Sequence, residues 1–275
     1  MNPMNYYSID VLVSTFEDRV AQLEGRLPEP IPGVRYLVGH QIGDGSHYEG
    51  ALRQRADVTY IAMMTKGVTK SRNELLSISL SDLIYFCDDD IWLNPKFFEL
   101  LREYHNRYKE GIITFRVDNT DGSYRKKPLA KQYARRGWFN ILSVGTVEIS
   151  LKTSACTGLT FDSDMGAGSV LQIGDEAVFL ASALRRGILI GFVNQCIATH
   201  PQDSSGFGET NLHLYARGLT IRKVYGVWFG FPLVLLFFIR RYSRSKHNLS
   251  EKYRFLVLYL KGFWKMTIKD YLLVD

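Results

Sequence analysis

Short apolar runs alternate with stretches of helical period through the first 200 residues. Runs rich in Val, Ile, Leu and aromatic residues at 9–13, 34–38, 58–63, 83–87, 112–115, 146–151 and 188–193 read as strands. Three segments between them read as helices. Residues 71–80 open with the capping box Ser71-x-x-Glu74, and residues 95–108 start with a proline and align Phe97, Phe98, Leu101, Tyr104 and Tyr108 on one face. Residues 175–185 are closed by Gly187. This alternation predicts βα units and a mostly parallel α/β sheet flanked by helices. Residues 117–137, rich in Asp, Arg and Lys, are too polar for a core and predict a mobile flap or insertion.

The C-terminal part follows a different pattern. Residues 224–239 read VYGVWFGFPLVLLFFI, with Arg222 and Lys223 before them and Arg240 and Arg241 after. Such a helix rises roughly 24 Å, short of a hydrocarbon core of roughly 30 Å, and Pro232 is expected to kink it, so a shallow or re-entrant insertion fits better than a clean span. Residues 253–266 (YRFLVLYLKGFWKM) interleave aromatics and aliphatics with Arg254, Lys261 and Lys265, as in a helix lying on an anionic lipid surface. Charge strengthens the reading. Of the 34 Lys and Arg residues twelve lie from Arg217 onward, against three of the 28 acidic ones, so the tail carries +9 and residues 1–216 carry −3. A long apolar run has no place on a phosphate backbone, which argues against nucleic acid as a partner. A buried core helix with a basic solvent face is the alternative to membrane association.

With 275 residues, 46% of them hydrophobic, the chain can fill one large α/β domain plus an appendage. The division expected is a catalytic domain over residues 1–215 and a basic, apolar helical tail over 216–275. Cys87, Cys156 and Cys196 stand singly, which implies neither a disulfide framework nor a thiolate zinc site and favours a reducing compartment. The opening MNPMNYYSID lacks a basic region followed by an apolar core, so no secretory signal is visible and a cytoplasmic location is expected.

Against that background YFCDDDIWLNP, residues 85–95, stands out, because three adjacent carboxylates follow a core strand directly and repel one another. In an open α/β sheet, ligands bind beyond the carboxyl ends of strands, where Asp88, Asp89 and Asp90 would stand. Asp88 and Asp90 can present hard oxygen ligands to one point, which suits Mg2+ or Mn2+ bridging to a substrate diphosphate. The alternative is local, with Asp89 and Asp90 capping the next helix or closing an Asx turn. Upstream, KGVTKSRNELL (66–76) leads into a helix whose N-terminus, with Lys70 and Arg72, favours a phosphate, although a plain capping box looks similar. Downstream, Asp175 and Glu176 begin a helix. One of them could take a proton from a hydroxyl nucleophile, or both could simply complement the helix dipole.

In this order and spacing, DVLVSTFEDRV, KGVTKSRNELL, IYFCDDDIWLNP and FDSDMGAGSVLQIGDEAVFLASALRRG resemble an inverting family 2 glycosyltransferase of the GT-A fold, over roughly residues 8–205. The basic, apolar tail is similar to that of bacterial members that build O-antigen, capsule or other surface polysaccharide at the inner membrane. The resemblance implies that Ser14, Thr15 and Glu17 line the nucleotide pocket, that Lys70 and Arg72 lie near the nucleotide or its diphosphate, and that Asp88 and Asp89 contact the donor. Asp90 and Asp88 would form a DxD motif holding Mn2+ or Mg2+, with His200 beside the metal or diphosphate, although a lone His at a strand end is also a common structural residue. The family pattern before the late helix is Gly-Glu-Asp with the aspartate as base, whereas Gly174, Asp175 and Glu176 reverse the acids. A gapless match puts Glu176 in the base position, with Asp175 the alternative. Trp138, Phe139, Phe161 and Met165 are candidates for the acceptor side.

What the resemblance implies is metal-dependent, inverting transfer of a sugar from a UDP- or GDP-linked donor to a saccharide acceptor, itself lipid-linked, by an enzyme peripheral on the cytoplasmic face of the inner membrane. Rival readings are a nonenzymatic membrane-surface scaffold, or a sugar nucleotidyltransferase. The latter wants a glycine-rich GxGTRL-type loop where STFEDR stands, and an aspartyl-nucleophile phosphatase wants DxDGT where DDDIW stands.

Overall fold

A computed structural model describes residues 5–43, 48, 50–127, 131–202, 210–243 and 245–264. The elements in chain order are β1 (Ile9–Phe16), β2 (Val34–Gln41), β3 (Val58–Met63), α1 (Val68–Ile78), β4 (Leu83–Asp88), β5 (Trp92–Leu93) and α2 (Phe97–Arg107), followed by β6 (Ile112–Asn119), β7 (Tyr133–Arg136), β8 (Ile149–Lys152), α3 (Asp175–Arg185), β9 (Ile190–His200), α4 (Asn211–Tyr242) and α5 (Leu249–Trp264). The strands form one sheet in the order β3-β2-β1-β4-β8-β6-β9-β5, with β7 on β9.

The sheet is mixed rather than mostly parallel. β3, β2, β1 and β4 run parallel, as does the pair β6 and β9, but β8 lies antiparallel between β4 and β6, and β5 and β7 are antiparallel to β9. Parallel neighbours need a long crossover, usually helical, and the path from β6 to β8 holds no α-helix among its described residues. That path is also more structured than a flap, since β6 runs on to Asn119 and β7 lies within it. Residues 146–148, expected to begin a strand, form a 3-10 turn closed by the Glu148 amide on the Gly145 carbonyl at 3.0 Å.

Each strand feeds both faces with a period of two. On β1, Leu12 joins one apolar layer while Val11 and Val13 join the other; on β4, Phe86 and Tyr85 divide in the same way. α1, α3 and the first half of α4 cover one face through Leu75, Phe179, Tyr215 and Leu219, and α2 covers the other through Phe97, Phe98, Leu101 and Tyr104. Phe161 and Met165, offered as acceptor contacts, are core residues instead: Phe161 stacks on Phe179 at 4.2 Å, and both positions are buried. Trp138 and Phe139 stay exposed.

α1 begins at Val68, three residues before the expected cap, and Gly67 precedes it with no side-chain cap. Ser71 therefore lies inside the helix, its hydroxyl 2.9 Å from that of Ser14. α3 spans the residues expected. Gly174 at its start has φ +94°, and a Cβ there would lie 2.0 Å from Thr220 Oγ1 of α4, so only glycine allows the close approach.

α4 and α5 pack on each other around Val234, Phe238, Tyr242, Phe255 and Tyr259. α4 is long and apolar enough to cross a membrane, in place of the short segment expected. It is broken at Gly226 (φ 73°, ψ −167°) rather than at Pro232, because glycine tolerates a positive φ that no proline can adopt. A groove of about 310 Å3 lies at the break, lined by Leu219, Arg222, Lys223, Gly226 and Val227. The boundary between residues 215 and 216 falls inside α4. Lys265 and Met266 lie outside the described residues.

Candidate active site

The parallel strands end at one level. Ser14 is in register with Gly39 of β2 and with Asp88 of β4, which places the start of the acidic triplet at the carboxyl edge of the sheet. Arg72 is buried below this edge, Nη2 donating to Asp88 Oδ1 at 2.9 Å and Nη1 to Asp175 Oδ2 at 3.0 Å. A single guanidinium thus ties α1, β4 and α3 together. It remains fully charged, for although burial opposes the charge, Asp88 and Asp175 outweigh that and raise its pKa. Burial pushes the Asp175 carboxyl well above its ordinary value, the charge of Glu176 adds to the push, and Arg72 opposes it.

The three aspartates have separate surroundings. Asp89, expected at the donor, is turned inward, where its carboxylate accepts from Thr15 Oγ1 at 2.8 Å and pairs with Arg19, while Arg26 donates to its carbonyl at 3.0 Å. It is a buried strut within the protein; burial raises its pKa, with Thr15 and Arg19 opposing. Asp88 keeps one oxygen on Arg72, and its side chain is 34% exposed. Asp90 is the unsatisfied member. Its Oδ1 is closed off from solvent without a hydrogen-bond partner, 3.5 Å from His200 Nε2, and its Oδ2 lies 3.4 Å from Arg19. On the other side of the imidazole, Arg125 lies 2.8 Å from Nδ1 and donates to the Pro201 carbonyl at 2.7 Å.

No group of three or more His, Cys, Asp or Glu side chains converges as a ready-made metal cage among the described residues. The donor set fits a different mode of binding. A buried carboxylate oxygen with no partner, beside an imidazole nitrogen, suits a divalent ion that takes one or two protein ligands and completes its shell with phosphate oxygens.

Across the edge, Glu176 is partly exposed, and its Oε1 accepts from Thr146 Oγ1 at 2.9 Å. The reversed acids thus differ in surroundings: Asp175 is the buried partner of Arg72, and Glu176 is partly exposed.

The remaining expected residues scatter. Ser14 and Thr15 are buried, and their hydroxyls bond Ser71 and Asp89. Glu17 is exposed with φ 49°, a left-handed conformation uncommon outside glycine that concentrates at ligand sites. His40 Nε2 donates to its carbonyl at 2.7 Å; burial lowers the His40 pKa, so the neutral ring accepts from Tyr60 at 2.6 Å. Lys70 is exposed and Arg72 is not, so the helix N-terminus does not combine both cations in one phosphate cradle. Arg19, Arg26, Arg125 and Thr146 were not singled out from the sequence. Arg19 alone carried a signal, being one turn beyond Thr15 just after a strand; the others depend on contacts distant in sequence.

The nine-stranded mixed sheet with helices on both faces, and an acidic cluster latched by one arginine at its carboxyl edge, makes a GT-A-like fold. Residues 42–165 match the family model described as Glycosyl transferase family 2. No curated protein sequence matches the chain. Among solved structures, S. aureus TarS 1–349 in complex with UDP-GlcNAc is similar at a TM-score of 0.60 and 12% identity, covering 98% of this chain and 76% of that one. The same fragment with UDP gives 0.59 and 13%, covering 98% and 75%. A longer TarS structure gives 0.58 and 12%, covering 98% of this chain and 45% of that one. At such identity these structures establish the fold.

Proposed function

We propose that this chain transfers a sugar, with inversion, from a nucleotide-sugar donor to a saccharide acceptor. The observation that carries the reading is the arginine bridge from Asp88 to Asp175, whose chain neighbours are Asp90, with its partnerless oxygen, and Glu176. The donor is UDP- or GDP-linked, and the UDP and UDP-GlcNAc complexes of a protein sharing the fold favour UDP.

Asp90, with His200 beside it and Asp88 on the donor side, would hold Mn2+ or Mg2+. The chemistry such an ion supplies when bound is neutralisation of the charge that builds on the departing diphosphate. Glu176 accepts the proton of the acceptor hydroxyl, a contribution of roughly 10²- to 10⁴-fold. Arg72 holds Asp88 and Asp175 at a fixed separation, so that donor and base meet in one geometry.

The acceptor is a lipid-linked saccharide of bacterial surface polysaccharide synthesis, and the protein sits peripherally on the cytoplasmic face of the inner membrane through residues 216–275. Trp228 and Phe229 are 88% and 78% exposed, Leu236 and Ile239 lie exposed further along α4, and Arg240 and Arg241 follow. Large apolar side chains bare to water and flanked by cations fit an anionic lipid surface.

The test is a panel of UDP-GlcNAc, UDP-glucose, UDP-galactose and GDP-mannose, scored for Mn2+-dependent release of the nucleoside diphosphate. One of them should turn over, and Asp90→Ala should abolish the turnover while leaving the fold intact. Turnover by Asp90→Ala at the normal rate with ordinary metal dependence would remove Asp90 from the site. Indifference of thermal stability to UDP and GDP, with and without Mn2+, would favour the scaffold.

A further inference from the structure

We infer that Thr146 is the positioning residue that aims the base: it holds Glu176 by Oε1 and so fixes the orientation in which the carboxylate takes the proton of the acceptor. The inference rests on Glu176 being the base. A glutamate reaches one methylene further than an aspartate and has one more rotatable bond, so a glutamate placed where the family carries aspartate must be restrained if it is to act in one geometry.

Thr146 supplies the restraint. Its Oγ1 lies 2.9 Å from Glu176 Oε1, and the residue is only 3% exposed. A hydroxyl has one proton to give, and the carboxylate cannot return one, so Thr146 is the donor of this bond. It is also β-branched, which stiffens χ1. The turn that carries it is fixed to the donor side of the site. The Tyr85 hydroxyl, fully buried on β4, donates to the Val147 carbonyl at 2.7 Å, and β4 ends at Asp88. Lys126 pairs with Glu148 at the other end of the turn. Base and donor site therefore share a frame through β4, independently of the Arg72 bridge.

In the transfer, the acceptor O–H proton passes to the Glu176 carboxylate as the acceptor oxygen forms its bond to the anomeric carbon. The bond from that carbon to the diphosphate oxygen breaks, and its electron pair leaves with the nucleoside diphosphate. Thr146 keeps its own proton throughout.

The experiment uses the nucleotide sugar of the panel that the full chain hydrolyses fastest, with water as acceptor, and compares Thr146→Val, Thr146→Ser, Glu176→Gln and the double variant Thr146→Val/Glu176→Gln. Thr146→Val keeps the shape and loses the donor. A hydrogen bond to a charged group is worth roughly 10- to 150-fold, so kcat should fall by about that factor with the donor KM unchanged. Thr146→Ser keeps the hydroxyl and should recover most of the rate. In the Glu176→Gln background the valine change should cost little more. Full activity of Thr146→Val with Glu176→Gln inactive overturns the inference and leaves the base assigned. An equal loss on adding Thr146→Val to Glu176→Gln also overturns it, since Thr146 would then act without Glu176. Normal activity of Glu176→Gln overturns the base assignment itself. Melting temperature with and without UDP separates a loss of fold from a loss of rate.

Discussion

Removing the guanidinium of Arg72 should destabilise the protein in a way that depends on pH. Arg72→Met fills similar volume and deletes the charge, leaving Asp88 and Asp175 without a counterion. Breaking a buried pair from one side costs about 3–5 kcal/mol. Solvent screens part of this at Asp88, whose side chain is 34% exposed, so most of the cost falls on Asp175, whose side chain is 4% exposed. At about 2–4 °C per kcal/mol, the melting temperature should drop by roughly 6–20 °C. The pH dependence follows from the direction in which Asp175 titrates. Burial, with Glu176 behind it, holds that carboxyl above the ordinary value of 3.8. The native state therefore binds the proton more tightly than the unfolded chain does, and the stability tied to this group falls as pH rises from about 4 through the raised native value. Arg72 limits the fall. Without it the native value rises further, so the deficit against wild type is largest near neutral pH and shrinks in acid, where Asp175 is neutral and costs only about 1–3 kcal/mol as an unsatisfied polar group. Urea unfolding followed by tryptophan fluorescence at about pH 5 and about pH 7.5 measures both deficits. Equal deficits at the two pH values, or a loss below about 1 kcal/mol at the higher one, would refute the bridge as the counterion of a buried acid.

Two further outcomes follow from the geometry. Trp228→Ser with Phe229→Ser removes two exposed rings outside the sheet, so it should weaken cosedimentation with phosphatidylglycerol vesicles at least tenfold while leaving hydrolysis of the soluble donor unchanged; undiminished vesicle binding would dismiss this face as the membrane contact. The exchange Asp175→Glu with Glu176→Asp restores the acidic order of the family pattern, yet it should lower kcat by about tenfold or more and destabilise by about 1–3 kcal/mol through overpacking beside Arg72, whereas wild-type activity and melting would show that reach at these positions is immaterial.

Much of the frame was legible because its signals are local. The strand Val58–Met63 and the helix Asp175–Arg185 have the limits expected, the helix because Gly174 and Gly187, both at positive φ, punctuate it in the sequence. What stayed hidden depends on partners far along the chain. Ser71 reads as a cap, but its hydroxyl meets Ser14, 57 residues away. Arg72 reads as a free cation at a helix start, but its partner Asp175 lies 103 residues on. β7, with the sequence YARR, has no apolar run to betray a strand and is held by pairing with β9. Proline is the usual cause of a kink, which points to Pro232 in α4, whereas the residue with non-helical φ/ψ inside α4 is Gly226. Asp90 and His200 lie 3.5 Å apart, and Asp88 meets Asp175 through Arg72, although the members of each pair are carried by different motifs.

The two edges of the sheet show why these acids, and not others, are candidates for chemistry. Asp10, buried on β1, is satisfied by Arg35 at 2.9 and 2.8 Å, by the hydroxyls of Ser79 and Ser81 at 2.7 Å each, and by the amides of Leu80 and Ser81. Burial pushes its carboxyl up, but Arg35 and then the serines pull harder and leave it below its ordinary value, so it stays ionised as a structural anion. At the carboxyl edge, protein partners are fewer and unevenly shared. Asp89 and Asp175 take the arginines and are committed to the fold, which leaves Asp90 with an oxygen that nothing in the protein satisfies and Glu176 partly exposed on Thr146. A buried polar atom without a partner costs stability unless something else supplies one. The fold saturates a buried aspartate at the start of β1, so the orphaned oxygen of Asp90 beyond the end of β4 supports the proposal that a ligand completes it.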